Sequence, residues 1–291
     1  MRIGKLPLVL LGTALTLAMA PASRATLVLH YTFDGNTLGA LADNTPITNV
    51  AGGTNGVFHS GTDAGNLSSI VTSGVAGGFG GRAIRLQPAN DGLGNGAAPN
   101  ISTSYLVTNG AASLGLISNA KPYTAMAWVN FSSSTADNFI FGGTNPPSGS
   151  DQMLHHGSRN GFLHSAHWGD DIGPDQGFNV ATDNGNWHHV AYTNDGAAGN
   201  QSIYWDGNLV IGPGAAGFNT NLVASAELII GTSFGSGSFN GFLDEIRVYD
   251  TQLTQSQIAA AMNVVPETTA PALAGLVGLG CLMMRRRRAA H

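Results

Sequence analysis

The sequence predicts an all-β protein built as a two-sheet antiparallel sandwich, and three observations carry that expectation. Most of the 41 glycines fall with Asn, Ser and Thr between short apolar runs, as they do where strands alternate with turns. Nothing from Thr26 to Thr251 keeps a 3.6-residue apolar period for three turns, so no long helix is expected there. The single cysteine, Cys281, lies in a C-terminal apolar segment, so packing rather than a disulfide framework must hold the fold.

The N-terminal segment is the first element. Arg2 and Lys5 precede an apolar stretch from Leu6 to Leu17, followed by small residues. That pattern is a secretory signal peptide, residues 1–25, cut after Ala25 in preference to Ala22 or Ala20. About 240 residues follow (26–264), enough for one large domain with a hydrophobic core. Expected strands are Leu27–Phe33, Gly56–His59, Ala83–Leu86, Ser104–Val107, Tyr123–Phe131, Asn138–Phe141 and Met153–His156. Gly161–Ala166, His188–Asn194, Gln201–Trp205, Asn208–Ile211, Glu227–Ile230 and Gly241–Tyr249 complete a set of thirteen. Tyr123–Phe131 is apolar at both parities and reads as a central strand covered on both faces. In Ala83–Leu86 the alternation turns Ile84 and Leu86 inward. Asp206-Gly207 supplies the two positive-φ positions of a type I′ hairpin turn. Thr254 and Gln257 form a capping box that opens one short helix through Ile258 to Met262, which closes the domain.

The last segment, residues 265–291, has three parts. Val265-Pro266-Glu267 precedes an apolar run from Ala270 to Met284, and Arg285, Arg286, Arg287 and Arg288 stop it. Counted from Thr268, a run of about 17 residues spans roughly 25 Å as a helix, the short limit for a bilayer, with its basic end in the cytoplasm. The segment resembles the PEP-CTERM sorting signal, although Thr268 stands where that signal usually has a second proline. The resemblance implies an exosortase-type membrane protease as partner, cutting near Pro266-Glu267. The chain would be anchored transiently in the inner membrane and then reach the periplasm, the cell surface or the medium.

Charge narrows the partners. Outside the terminal signals the basic residues are Arg82, Arg85, Lys121, Arg159 and Arg247, against 17 Asp+Glu in the chain, so nucleic acid is excluded as a partner. An acidic, Asn-rich exported domain suits divalent cations and neutral sugars.

Several blocks resemble the LamG-like jelly rolls of the concanavalin A-like lectin/glucanase superfamily. Tyr31-Thr32-Phe33-Asp34, Asn55-Gly56-Val57 and Gly81-Arg82-Ala83-Ile84-Arg85-Leu86 match early strands, and Tyr123 to Val129 a core strand. Trp187-His188-His189-Val190-Ala191, Ile203-Tyr204-Trp205-Asp206-Gly207 and Phe239 to Tyr249 are the most specific. The resemblance implies two antiparallel sheets, often a bound calcium, and binding of carbohydrate or protein outside the cell. It does not imply catalysis.

Strict alternation along Phe242–Tyr249 places Phe242, Asp244, Ile246 and Val248 on one face and Leu243, Glu245, Arg247 and Tyr249 on the other. Asp244 then shares the more apolar face and needs a partner. Ca2+ is one candidate, with Asp34 as second carboxylate; hydrogen bonds from backbone N–H groups are the alternative. Glu245 and Arg247 read as a surface ion pair worth at most about 1 kcal/mol. His155, His156, His164 and His167 lie near Asp170, Asp171 and Asp175, but adjacent strand histidines face opposite sides and no metal-binding spacing is present. Glycoside hydrolysis needs two carboxylates across one groove, and no such motif is found, so the protein reads as a non-enzyme. Trp168, Trp205, Phe234 and Phe239 sit near Gly- and Asn-rich loops as candidates to stack on sugars, with core or hairpin packing the alternative for each. The leading expectation is an exported module that binds carbohydrate or another matrix ligand. A matrix component without specific ligand and, more weakly, a polysaccharide hydrolase are the alternatives.

Overall fold

The computed structural model describes residues 25–60, 68–75, 81–87, 105–108, 121–134, 137–143, 154–167, 171–173, 177–196, 200–215, 227–233 and 237–263. The signal peptide and the sorting residues Val265, Pro266, Glu267, Arg285, Arg286, Arg287 and Arg288 lie outside them. Among the described residues no helix is long and apolar enough to cross a membrane.

The chain folds as a sandwich of two antiparallel sheets. The larger sheet contains β1 (Leu27–Tyr31), β2 (Gly39–Ala40), β5 (Ser69–Thr72), β6 (Arg82–Leu86), β8 (Tyr123–Phe131), β12 (His188–Asn194), β13 (Asn200–Trp205), β14 (Asn208–Ala215) and β16 (Gly241–Tyr249). Its order is β14-β13-β12-β8-β16-β6-β5-β2, with β1 also pairing β16. The smaller sheet contains β3 (Thr45–Ile47), β4 (Gly56–His59), β7 (Tyr105–Thr108), β9 (Asn138–Gly143), β10 (His155–Arg159), β11 (Phe162–Ala166) and β15 (Leu228–Ile230). It is ordered β11-β10-β9-β15-β7-β4-β3.

The central strands β8, β12 and β16 run over the residues expected from their apolar patterns. Asp206 and Gly207 have φ of 49° and 76°, the type I′ turn that joins β13 to β14. Between the sheets pack Leu29, Tyr31, Phe58, Ile84, Leu86, Val129, Phe141, Val190, Ile203, Leu243, Ile246 and Val248 among others. Fully burying each aliphatic or Phe side chain contributes about 1.5–3 kcal/mol. Gly157 on β10 has no room for a side chain, because a Cβ there would meet Asn138 O at 2.0 Å.

A second, smaller core lies on the other side of the larger sheet. Helix α1 (Gln255–Met262) opens with both arms of the Thr254/Gln257 capping box. It lays Ile258 and Ala261, with Leu253, over Met126 and Ala191. One half of the sheet's outer face is therefore capped.

Candidate functional site

The other half of that face carries aromatic and polar side chains. Arg85, Phe242 and Asn130 each alternate with core residues, so all three point away from the core. Register sets them side by side: Phe242 pairs with Arg85 on β6 and with Asn130 on β8. Trp187, immediately before β12, extends the row, its ring centroid 6.2 Å from that of Phe242. The Arg85 guanidinium stands 5.7 Å over the Phe242 ring. Arg85, Phe242 and Trp187 are half-buried, and a Cβ at Gly74 would lie 2.8 Å from Trp187 Nε1, so the turn after β5 braces the indole. The next row runs Asp244, Trp128, His189 across β16, β8 and β12.

Asp244 corrects the strict alternation. A β-bulge interrupts the β16–β8 register between Asp244 and Arg247, where Glu245 takes a φ of 50°. Leu243, Ile246 and Val248 all face the main core. Asp244 is consequently on the outer face with Phe242, yet it is fully buried. Its Oδ2 accepts from Ser73 Oγ at 2.6 Å and its Oδ1 from the Glu245 N–H at 2.8 Å. Burial raises the Asp244 pKa to about 8, opposed by the Ser73 hydrogen bond and reinforced by the charges of Glu245 and Asp34. Asp34 itself is exposed and accepts from the Arg82 N–H at 3.0 Å. The structure thus brings Asp34 within electrostatic reach of Asp244, while no group of three or more His, Cys, Asp or Glu is placed to hold a metal among the described residues.

The Glu245–Arg247 pair is not a surface pair. Both side chains are buried, and Arg247 Nη2 donates to Glu245 Oε2. His30 Nε2 lies 2.7 Å from the same oxygen, and Arg247 Nη1 donates to the Ala261 carbonyl at 2.6 Å. A cation at the last turn of α1 complements the helix dipole, so this cluster fastens β1, β16 and α1 together.

The histidines separate into two groups, as adjacent strand positions require. His156 and His167 face inward, where Tyr123 OH lies 2.7 Å from His156 Nε2 and 2.6 Å from His167 Nε2. Ser165 Oγ donates to Gln201 Oε1 at 2.5 Å and sits 3.0 Å from His156 Nδ1. Since that hydroxyl proton is committed to Gln201, His156 donates through Nδ1 and accepts from Tyr123, which in turn accepts from His167. The result is one unbroken chain of hydrogen bonds running in one direction. His156 also stacks on Tyr192, centroids 4.7 Å apart, and burial lowers its pKa well below 6.5. On the opposite face of the smaller sheet, His155 and His164 flank Phe139, and His164 Nε2 lies 3.4 Å from Asp171 Oδ2.

Of the aromatic candidates, Trp168 and Phe234 lie outside the described residues. Phe239 is corrected: it is fully buried, 5.5 Å from the Phe131 ring, and cannot stack on a ligand. Trp205 is also core, stacked on His188. The rings that do share a face, Trp187 and Phe242, lay within blocks read only as strand matches. Cross-strand register joins them, and a single sequence does not display that.

This geometry is that of a two-sheet antiparallel β-sandwich, and residues 100–259 match the Laminin_G_3 family of the concanavalin A-like lectin/glucanases superfamily. The chain belongs to that family. No curated protein matches it significantly. Among solved structures, it is similar to domain 4 of AbnA, a GH43 extracellular arabinanase from Geobacillus stearothermophilus, in complex with arabinotriose. That likeness has 20% identity and a TM-score of 0.57, covering 82% of this chain and 99% of that one. The binding domain of Botulinum neurotoxin DC, in complex with rat synaptotagmin II, is 14% identical with a TM-score of 0.52, over 84% and 52% of the two chains. A botulinum neurotoxin type C structure, reported for its interaction with two ganglioside molecules, has 14% identity and a TM-score of 0.53 over the same shares. The chain spans about half the length of these neurotoxin chains. At such identities the likeness is one of fold.

Proposed function

We propose that the protein is an exported, non-enzymatic module that binds carbohydrate on the uncapped half of its larger sheet. The observation that carries this is the row Arg85–Phe242–Asn130–Trp187, in which the half-buried rings of Phe242 and Trp187 lie on the sheet face beside the half-buried Arg85 and the buried Asn130. Aromatic faces suit the apolar faces of sugar rings, and polar neighbours set orientation. The family, and neighbours whose structures hold arabinotriose or concern gangliosides, support the reading. Binding without turnover fits the carboxylates beside the face: Asp244 and Glu245 are buried and engaged by Ser73 and Arg247 rather than set across a groove. A glycan array with the full chain tests the proposal. Binding that Trp187→Ala or Phe242→Ala abolishes supports it, whereas silence across polysaccharides leaves a structural matrix component.

Two further assignments belong to this reading. Asp34, Asp244 and the Ser73 hydroxyl offer only oxygen donors, which fits Ca2+ better than a softer metal. Equal melting temperatures in calcium and in chelator would remove the metal. The terminal segments support export, with an exosortase-type protease acting at Val265-Pro266-Glu267 before Arg285 to Arg288. Mass spectrometry of the exported product decides it: a C-terminus still ending at His291 is incompatible with that processing.

A further inference from the structure

We infer that the uncapped face takes an acidic polysaccharide, with an anionic group of the ligand held by Arg85; this rests on the glycan-binding reading above. The chain has 12 Lys+Arg against 17 Asp+Glu, so a cation on it has many carboxylates to pair with. Arg159 lies 3.6 Å from Asp171, and Arg247 pairs with Glu245. The Arg85 guanidinium has no carboxylate partner among the described residues, and its contact there is the Phe242 ring. A cation–π contact with the ring holds the guanidinium over the face without using its N–H donors. Those donors match a carboxylate in bidentate fashion, or one side of a sulphate.

The surroundings point to a glycan rather than a free anion. Arg85, Phe242, Asn130 and Trp187 stand on or beside four successive strands, β6, β16, β8 and β12. Three strand spacings cover about 14 Å, the span of a short oligosaccharide. Trp187 receives a sugar ring at one end of the row while Arg85, standing over Phe242, holds the charge at the other. A nucleic acid would also bring anions and stacking rings, but the acidity of the chain repels a continuous phosphate backbone.

Calorimetry with the full chain tests this, using oligogalacturonate, its methyl ester, dextran sulphate and neutral arabinan, each in EGTA and in calcium. Oligogalacturonate should bind in both media, and the uncharged ester about tenfold more weakly. Arg85→Gln should weaken oligogalacturonate by about tenfold and leave the ester unchanged, and Arg85→Lys should not restore the loss. Trp187→Ala should weaken both ligands. Preference for dextran sulphate, lost in Arg85→Gln, supports the inference with sulphate as the anion. Equal affinity for ester and acid, or binding that EGTA abolishes and Arg85→Gln leaves intact, overturns it. If arabinan binds and acidic chains do not, this inference fails while the carbohydrate reading stands; if no glycan binds, both fail.

Discussion

Two buried polar clusters in this sandwich differ in how they are satisfied. Between the sheets, His167, Tyr123, His156, Ser165 and Gln201 pass hydrogen bonds along one direction, each group partnered by the next. On the outer face the groups are ionisable and incompletely partnered: Glu245 Oε1 and both ring nitrogens of His189 have no hydrogen-bond partner among the described residues. A saturated network fixes one packing of the core. An unsaturated one beside a half-exposed face is where a cation or ligand would complete the set, and unsatisfied buried groups call for such an explanation.

Acid and alkali should act on different buried groups, the histidines and Asp244, and acid should have the largest effect. Burial lowers His155 and His189 to about 3 and His156 well below its usual 6.5. Between pH 6.5 and 3 the unfolded chain binds protons that the folded chain refuses. Their contribution is full above pH 6.5 and lost as pH falls, by at most about 1.4 kcal/mol per pH unit for each histidine. Asp244 has the opposite sign, because its pKa is raised from 3.8 to about 8. Its contribution is present below pH 3.8 and lost as pH rises through 8. Urea melts from pH 4.5 to 9 in chelator should therefore show stability falling on both sides of a maximum. A flat profile between pH 7 and 5 would mean the histidines are not held neutral.

Substitutions sharpen the contrast. Arg247→Ala leaves Glu245 buried without its cation and removes the donor to the Ala261 carbonyl, so a loss of about 3–5 kcal/mol is expected by chemical denaturation. A loss under about 1 kcal/mol would show that water screens the pair. Tyr123→Phe strands one donor on His167 and one acceptor on His156, at about 1–3 kcal/mol each. Calcium should not change that loss, since none of the network's groups is among the proposed ligands Asp34, Asp244 and Ser73.

The fold was legible in the sequence where local chemistry decides it. Asp206-Gly207 forced its turn, Thr254 with Gln257 its cap, and the two-parity apolar run its central strand. Short pairings were not legible. The edge strands β2 and β3 have too few residues to show alternation, and Ser69–Thr72 pairs β6 without a strong pattern of its own. Asn160-Gly161, with φ of 51° and 85°, is a second hairpin turn that its Asn-Gly signal could have revealed. The bulge at Glu245 could not be seen, because no glycine marks it, and it put Ile246 and Val248 on the face opposite Phe242 and Asp244. Asp34 and Asp244 were singled out from strand ends and burial logic, whereas Trp187, Phe242 and Arg85 meet only through pairing of distant strands.

Asp244→Asn should have the smallest effect and be the most discriminating. At pH 6 the folded chain already holds a proton on Asp244, and Asn matches the protonated carboxyl in size and charge. Its Oδ1 can keep the Glu245 N–H, and its amide can donate to Ser73 Oγ in place of the hydrogen bond now accepted by Oδ2. In chelator the melting temperatures of the two proteins should coincide at pH 6. At pH 9 the variant should melt higher, because it carries no buried charge to desolvate beside Asp34. Calcium should reverse that order by stabilising the ionised wild type and leaving the variant unchanged. A wild type that is indifferent to calcium at pH 9, yet less stable than Asp244→Asn, would show that the outer corner holds a strained carboxyl and no cation.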